Sequence, residues 1–369
     1  QTCALPICNA EHAACPPMQT VTLARHAMAT RFELALHGEN PVALRAAGEA
    51  ALDEVERLEN QLSLYRPGSE IAQLNARAAR EAVRVTPECF GLLERARRLQ
   101  AETEGAFDIT AGPLVRCWGF MGARPCASSD GPDRSDVGWH PPTGRPAAEV
   151  VAEALARVGM HQVLLNPTNR TVRFAREGVM LDLGAIGKGY AVERAAEILR
   201  EAGVTSALLH GGTSTVCAIG HPPGAECWRI AVDVAAELER RGRIRRVSDD
   251  ATQRAEAMPG APAAFTVPLK NESLSVSAAS GRQFESGGKF FGHVIDPHTG
   301  QPAEAALLSA VVLASATETD ALSTALLTLG RVGMDRITGL RPGLRALLVS
   351  LEAEGVSFVG RGFLEATET

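Results

Sequence analysis

A short segment that is rich in acid and glycine is the part of the sequence best suited to chemistry. Residues 182–189 read DLGAIGKG, and they place Asp182, Lys188 and three glycines ahead of an amphipathic segment. A strand that passes through small residues into a helix leaves backbone N–H groups unpaired where the helix dipole favours an anion. The segment therefore predicts a phosphate-binding turn, to which Lys188 adds a cation. Because the spacing fits neither GxxxxGK[ST] nor GxGxxG, a helix start that merely needs small residues remains an equal alternative.

Asp182 argues for a metal ion at such a turn, because a carboxylate repels phosphate unless a cation or a hydrogen-bond donor separates them. In ATETDALSTALLTLG, Asp320 and Thr324 are four residues apart on a predicted helix and share one face. Oxygen ligands of this kind suit Mg²⁺, which often uses few protein ligands together with substrate phosphates. An ordinary polar helix face, with the Thr324 hydroxyl bonded back to a carbonyl, is the alternative explanation.

A histidine beside a tight turn is the third candidate for chemistry. The segment GHVIDPHTGQP, residues 292–302, reads as a strand end that carries His293 and Asp296 into a turn. Turn geometry alone explains Asp296. His293 is a candidate for proton handling because imidazole exchanges protons near neutral pH, and a purely structural histidine is the alternative.

The elements that must hold these residues favour an α+β fold. Alternating apolar residues predict a strand over 30–38, and helical spacing predicts helices over 41–63, 86–105 and 317–329. A predicted hairpin precedes the turn at Asp182, so hairpins mix with helices in an order unlike a regular alternating array.

Domain boundaries follow from composition. We expect an irregular N-terminal segment over 1–27 and one domain over 28–362. Insertions are predicted at about 121–146, which is rich in glycine and proline, and at about 234–264, where an Ala-, Arg- and Glu-rich stretch is expected to be partly helical.

Composition limits the partners and the compartment. The net charge of -6 over 369 residues provides no basic field for nucleic acid, so we expect no nucleic-acid partner. No apolar run is long enough to span a bilayer, so no transmembrane segment is expected. The eight cysteines lack CxxC pairs and favour a reducing, cytoplasmic compartment. A processed, periplasmic or membrane-attached start is the alternative, because the first residue is Gln1.

Eight segments resemble one family, the FAD:protein FMN transferases or ApbE proteins, in that family's order. The resemblance covers about residues 28–330. The segments are MATRFEL, LSLYRPGSEIAQLN, GAFDITAGPLVRCWGF, DLGAIGKGYAVERAAEILREAGV, HGGTSTVCAIG, SAASGRQF, GHVIDPHTGQP and TDALSTALLTLG.

The resemblance implies both a fold and an activity. The fold is a two-lobed single domain related to the T-fold or tenasin architecture, with mixed sheets flanked by helices. The activity is Mg²⁺-dependent, with Ca²⁺ or Mn²⁺ as substitutes, and transfers the FMN moiety of FAD to a threonine hydroxyl of an acceptor flavoprotein with release of AMP. Water in place of threonine would make the enzyme an FAD pyrophosphatase that yields FMN and AMP. A non-catalytic FAD-binding protein is the second alternative.

The resemblance also implies roles for individual residues. The metal is expected to bind the backbone carbonyl of Ala185 and the side chains of Asp320 and Thr324. His293 and Asp320 are the expected catalytic residues. Ala29 departs from the glycine that the family usually has after the methionine. The expected FAD-binding residues are Met28, Tyr65, Ala106, Phe107, Asp108, Asp182, Lys188, His293 and Ile295.

Overall fold

An antiparallel sheet of eight strands forms the centre of the molecule. The computed structural model describes residues 18–121, 142, 144–240, 264–279, 281–352 and 355–363. The strands are β1 (Gln19–Ala27), β2 (Thr30–Gly38), β3 (Val83–Arg84), β4 (Val163–Asn166), β5 (Thr171–Phe174), β6 (Ser206–Gly211), β7 (Thr215–Ile219), β8 (Trp228–Asp233), β9 (Ala264–Leu269), β10 (Ser273–Ala278), β11 (Gln283–Ser286), β12 (Lys289–Gly292), β13 (Leu308–Leu313), β14 (Arg345–Glu352) and β15 (Gly355–Arg361).

Helices cover this sheet and connect its strands. Thr86 caps one of them as the sequence predicts, since its Oγ1 accepts a hydrogen bond from the Cys89 N–H at 3.3 Å. The helices are α1 (Pro41–Leu62), α2 (Glu70–Arg77), α3 (Pro87–Glu102), α4 (Gly112–Cys117), α5 (Ala148–Leu155), α6 (Gly187–Glu201), α7 (Val234–Arg240), α8 (Ala316–Leu329) and α9 (Met334–Gly339).

The strand order confirms the α+β class. The large sheet runs β1-β2-β6-β7-β10-β13-β14-β15, beside the smaller sheets β11-β12, β3-β5-β4 and β8-β9. Every strand pair in the described ranges is antiparallel, which corrects the expectation of mixed sheets. Five of these eleven strand pairs are hairpins, namely β1-β2, β4-β5, β6-β7, β11-β12 and β14-β15, and helices separate other paired strands along the chain.

Two hydrophobic cores lie on opposite faces of the large sheet. Consecutive residues of β13 show this division, because Val311 belongs to the core under α1, α6 and α8 while Val312 belongs to the core under β8 and β9. Side chains alternate between the faces of a strand, so the near-continuous apolar sequence of β13 is what a sheet covered on both faces requires.

The boundary of the N-terminal segment differs from the predicted one. Both predicted insertions lie largely outside the described residues, so their boundaries cannot be compared. The expectation that 1–27 is irregular is wrong for Gln19–Ala27, which pairs with β2 along its whole length. The second predicted insertion begins as α7, and its remaining residues 241–263 lie outside the described residues. The first predicted insertion lies mostly outside them as well. No helix in the described part of the chain combines the length and apolar character needed to cross a membrane.

Candidate functional site

The segment that carries Asp182 is held on both sides by distant parts of the chain. The Asp182 N–H donates to the Ile109 carbonyl at 2.7 Å. On the other side, Asn75 of α2 accepts the Leu181 N–H at 2.7 Å and donates to the Leu181 carbonyl at 2.9 Å. Asn75 thus positions the predicted phosphate-binding turn. It was missed at the sequence level, where nothing pairs residues 106 positions apart.

The turn itself folds around Asp182 and Lys188. Asp182 Oδ1 accepts the Gly184 N–H at 2.8 Å, and Lys188 Nζ folds back to donate to the Gly184 carbonyl at 3.4 Å. Burial raises the pKa of the Asp182 carboxyl, although the Gly184 N–H and the charges of Lys188 and Arg282 oppose this effect. Asp182 is nonetheless partly accessible to solvent. The Asp182 carboxyl therefore lies within electrostatic range of two cations, in a residue that solvent can partly reach.

The start of α6 is occupied by a carboxylate from α8. Asp320 Oδ2 accepts the Gly189 N–H at 2.8 Å, and the Asp320 residue is only 5% exposed. One N–H group that the sequence assigned to a phosphate thus binds a protein carboxylate, which the positive end of the helix dipole stabilises. A Cβ on Gly189 would lie 2.3 Å from the Ala316 carbonyl oxygen, so glycine is required for the close approach of the two helices.

The predicted metal ligands share one face of α8, as their spacing requires. Burial raises the pKa of Asp320, while the Lys188 charge and the Gly189 N–H lower it. Thr324 Oγ1 donates to the Asp320 carbonyl at 3.2 Å, which is the back-bond of an ordinary helix face, and lies 3.1 Å from Ser277 Oγ. A hydroxyl that donates this bond keeps lone pairs for a cation.

The donors that the resemblance implies for a metal ion are all hard oxygens. In the part of the chain that the structure describes, no group of three or more His, Cys, Asp or Glu side chains could hold a metal. An ion between Asp320, Thr324 and the carbonyl of Ala185 would therefore have one carboxylate and neutral oxygens as protein ligands. Such a set fits Mg²⁺, which completes its shell with water and substrate phosphate.

His293 lies directly after β12, at the base of the β11-β12 hairpin. Its Nδ1 accepts the backbone N–H of Arg282 at 3.3 Å, and a Cβ on Gly281 would lie 2.6 Å from its Cε1. Burial, with the charges of Lys188 and Arg282, lowers the pKa of His293 to about 4. Arg282 is a cation of this site that the sequence reading did not single out. The sequence around Arg282 does not indicate this position, because Arg282 comes close to His293 only when β11 pairs with β12.

The residues expected to contact FAD are only partly brought together. Ala106 and Phe107 are 1% exposed and Ile295 is 6% exposed, so these side chains are buried in this structure, and their contact with FAD stays a prediction. Ala106 and Phe107 belong to the main hydrophobic core, and Ile295 belongs to the separate cluster under the β11-β12 hairpin. Asp108 Oδ1 is engaged by its own turn, where it accepts the Thr110 N–H at 2.8 Å and the Thr110 hydroxyl at 2.5 Å.

Besides Asp182, Lys188 and His293, two more of the expected FAD-binding residues are accessible. Tyr65, in the loop after α1, is 43% exposed. Met28 is partly buried and forms the tip of the β1-β2 hairpin together with Ala29, at φ angles of 50° and 58°. Both conformations are left-handed, as a type I′ hairpin turn requires.

An ion-pair network fixes the start of α8 against α6. Glu193 of α6 accepts hydrogen bonds from Arg95 Nη1 at 2.6 Å, from Ser315 Oγ at 2.5 Å and from the Thr317 N–H at 2.9 Å. Ser315 Oγ also accepts the Glu318 N–H at 3.1 Å. Because the carboxylate satisfies N–H and hydroxyl groups at the helix start, α8 begins at a fixed position relative to α6.

Comparison with known proteins identifies the family. The family model described as the ApbE family matches residues 28–348. The FAD:protein FMN transferase of Klebsiella pneumoniae (strain 342) is 30% identical over 318 residues, which cover 85% of this chain and 78% of that protein. The protein of the same name from Treponema pallidum (strain Nichols) is 30% identical over 327 residues, which cover 87% of this chain and 82% of that protein.

Solved structures share the fold. The crystal structure of the ApbE protein of Thermotoga maritima superposes with a TM-score of 0.72 at 26% identity and covers 92% of this chain and 96% of that chain. The flavin transferase ApbE from Vibrio cholerae gives a TM-score of 0.73 at 22% identity over 94% of this chain and 99% of that chain. Since the family model spans most of the sequence and the relatives cover most of its length, the chain belongs to the ApbE family.

Proposed function

We propose that this chain transfers the FMN moiety of FAD to a threonine hydroxyl of an acceptor flavoprotein, releases AMP and requires Mg²⁺. The names of its relatives support flavin transfer in general. One observation carries the proposal of a Mg²⁺-dependent transfer. The hydrogen bond from the Gly189 N–H to Asp320 holds a buried carboxylate within electrostatic range of Lys188 in the glycine turn.

The cations around the turn form a binding place for the diphosphate of FAD. The charges of Lys188 and Arg282 act on the pKa of both Asp182 and His293, so these four groups lie within electrostatic range of one another. A diphosphate pairs with such cations and accepts hydrogen bonds from donors that face it. The positive charge that binds the diphosphate would thus come from Lys188 and Arg282, which the hydrogen bonds described above hold in position.

The ion would be held by the carboxylate of Asp320, the hydroxyl of Thr324 and the carbonyl of Ala185. When bound there, Mg²⁺ supplies positive charge against the diphosphate and the departing AMP. In the reaction, the threonine oxygen forms a bond to the FMN phosphorus, and the bond from that phosphorus to the bridging oxygen breaks with its electron pair leaving on AMP. The hydroxyl proton passes to a group of the site, for which His293 and Asp182 are the titratable candidates.

Mass spectrometry of the acceptor tests the proposal. The purified chain is incubated with FAD, Mg²⁺ and an acceptor flavoprotein, and the same acceptor with its target threonine changed to alanine is the control. We expect the acceptor to gain the mass of FMN only when the threonine is present, with one AMP released per adduct. Release of FMN and AMP without an adduct would identify a pyrophosphatase, and binding of FAD with no turnover would identify a non-catalytic flavin-binding protein.

The metal assignment has a separate test in the same assay. Asp320→Ala removes the buried carboxylate, and we expect it to abolish the adduct. An adduct that forms at the normal rate with Asp320→Ala would contradict the proposed metal ligands.

A further inference from the structure

We infer that His293 acts on the diphosphate as a neutral hydrogen-bond donor through its Nε2–H, and that it is not the base that takes the threonine proton. This inference rests on the proposed flavin transfer for its substrate. Its chemistry rests on the hydrogen bonds at the base of the β11-β12 hairpin.

The tautomer of His293 follows from the partner of Nδ1. The backbone N–H of Arg282 points to Nδ1 at 3.3 Å, and a backbone amide can only donate. Nδ1 must therefore carry its lone pair, and the proton of the neutral ring must be on Nε2. Within the described ranges Nε2 has no hydrogen-bond partner, and His293 is partly accessible, so this N–H can reach a ligand.

The surroundings keep the ring in this orientation. A Cβ on Gly281 would lie 2.6 Å from His293 Cε1, so the ring lies close against the glycine backbone. The Phe120 ring meets His293 edge-on at a centroid distance of 6.5 Å, and Arg282 Nη1 donates to the Phe120 carbonyl at 3.1 Å. A ring flip would turn a carbon toward the Arg282 N–H and leave that amide without its acceptor.

The charge state agrees with a donor role. Burial and the neighbouring charges of Lys188 and Arg282 lower the pKa of His293 to about 4, so the ring is neutral near pH 7. A neutral ring whose Nδ1 is already engaged has no free lone pair for the threonine proton. It does present an N–H beside two cations, where an oxygen of a diphosphate would accept it.

Asp182 is then the group left to accept the hydroxyl proton. Its Oδ1 accepts the Gly184 N–H at 2.8 Å, whereas Oδ2 accepts no hydrogen bond from any residue that the structure describes. The charged groups that act on it are Lys188 and Arg282. The proton would thus move from the threonine oxygen to Asp182 Oδ2 as the new phosphorus–oxygen bond forms.

Nitrogen NMR tests the tautomer without any reaction. The chain has nine histidines, so the His293 signal in a ¹⁵N-histidine-labelled sample is assigned by its loss in His293→Gln. We expect the long-range proton–nitrogen pattern of a neutral ring protonated on Nε2 across pH 6 to 8. A neutral ring protonated on Nδ1 would overturn the inference.

Variants of His293 test the role in transfer. A glutamine amide reaches the position of Nε2 and can donate there, whereas an asparagine amide reaches only the position of Nδ1. We expect His293→Asn and His293→Ala to lower kcat/KM for FMN transfer by about 10²- to 10³-fold, as for loss of one preorganised donor, and His293→Gln to stay at least about tenfold more active than these. Equal losses in all three variants would contradict a donor and favour a base.

Gly281→Ala gives an independent check on positioning. The added Cβ must displace the ring, so we expect a changed His293 NMR signal together with a lower kcat. Gly91→Ala is the matched control, because a Cβ on this glycine of α3 would meet no atom within 4 Å, and we expect it to leave both readouts unchanged. An unchanged His293 signal and kcat in Gly281→Ala would show that the glycine does not set the ring.

Failure of the proposed flavin transfer and failure of the donor role of His293 give different results. If no acceptor adduct forms, the proposed function fails, while the NMR pattern still reports the tautomer. If adducts form and His293→Gln is as inactive as His293→Ala, flavin transfer stands and the donor role is wrong.

Discussion

The two halves of the candidate site are held in different ways. The helix half, α6 with α8, is joined by the Gly189–Asp320 bond and by the hydrogen bonds of Glu193, and both helices pack in the main core. The hairpin half, β11 with β12, is flanked by Arg282 and His293 and rests on a separate hydrophobic cluster that combines aromatic and aliphatic side chains. Substitutions that disturb the packing of the helix half should therefore alter stability and activity together, whereas substitutions in the hairpin half should alter activity with little effect on stability.

The largest effect is expected from Asp320→Asn in the helix half. The amide oxygen can still accept the Gly189 N–H, so the fold is retained, but the negative charge for a cation is lost. We expect FMN transfer to fall by about 10³-fold or more, since a metal ion supplies several kcal/mol of charge stabilisation. Asp335→Asn on the surface, where Asp335 pairs with Arg361 at 3.0 Å, is the control. Wild-type rates in Asp320→Asn would remove the carboxylate from the mechanism.

Gly189→Ala tests how closely the two helices must approach. The new Cβ would lie 2.3 Å from the Ala316 carbonyl, and rigid backbone must move to admit it. We expect the free energy of unfolding to fall by about 1–3 kcal/mol in urea titrations, the usual cost of overpacking, together with activity. Gly187→Ala, whose Cβ would meet Leu183 Cβ at an ordinary 3.6 Å, is the stability control. If Gly281→Ala in the hairpin half destabilises as strongly as Gly189→Ala, the contrast between the halves is wrong.

A smaller effect, with a defined pH dependence, is expected from Glu193→Gln. Burial alone would raise the pKa of Glu193, but the bonds from Arg95, Ser315 and Thr317 outweigh it and lower the pKa below its ordinary value of 4.5. A lowered folded-state pKa stabilises the fold above the ordinary value and loses this contribution as pH falls through the folded value.

Glu193→Gln should therefore be less stable than the wild type at pH 7, by about 1 kcal/mol or somewhat more, because a neutral amide oxygen accepts weaker hydrogen bonds than a carboxylate and loses the ion pair with Arg95. The difference should shrink below pH 4.5 as the wild-type carboxylate is protonated. Urea unfolding of both proteins across this range measures it, and a pH-independent difference would show that the Glu193 charge is not what fixes α8.

Ala29→Gly should give the smallest change, and a stabilising one. Ala29 has a φ of 58° in the β1-β2 turn, where an L-residue with a Cβ is strained by about 1 kcal/mol and glycine is not. We expect a gain of up to about 1 kcal/mol in thermal or urea unfolding, with flavin transfer unchanged in rate. A loss of stability would mean that the added freedom of the unfolded chain outweighs the strain.

The sequence predicted those features of the site that depend only on residues close together along the chain. Asp320 and Thr324 fall on one face because a helix repeats every 3.6 residues, and α6 is readable because apolar residues recur at helical spacing after the glycine segment, inside which the helix begins at Gly187. The Thr86 cap of α3 is readable for the same reason. In each case the physical cause lies within a few residues.

Contacts between distant segments could not be read in this way. Asn75 meets Leu181 across 106 residues, and Arg95 meets Ser315 across 220. The burial of Phe107 could not be read from its neighbours, because an aromatic residue after a turn has the same local sequence whether it faces a cleft or the core. The pairing of β1 was missed because its polar alternation, QTVTLARHA, is typical of a strand at the edge of a sheet and gives a weak signal.

The central claim is that Asp320, oriented by the Gly189 N–H, holds a divalent cation beside the diphosphate of FAD. Anomalous diffraction from crystals of the chain grown with Mn²⁺ and FAD measures this directly, because Mn²⁺ scatters anomalously where Mg²⁺ does not. We predict one peak in contact with Asp320, Thr324 and the carbonyl of Ala185, and adjacent to both phosphates. A bound FAD whose diphosphate lies elsewhere, or a Mn²⁺ peak that does not touch Asp320, would contradict the claim.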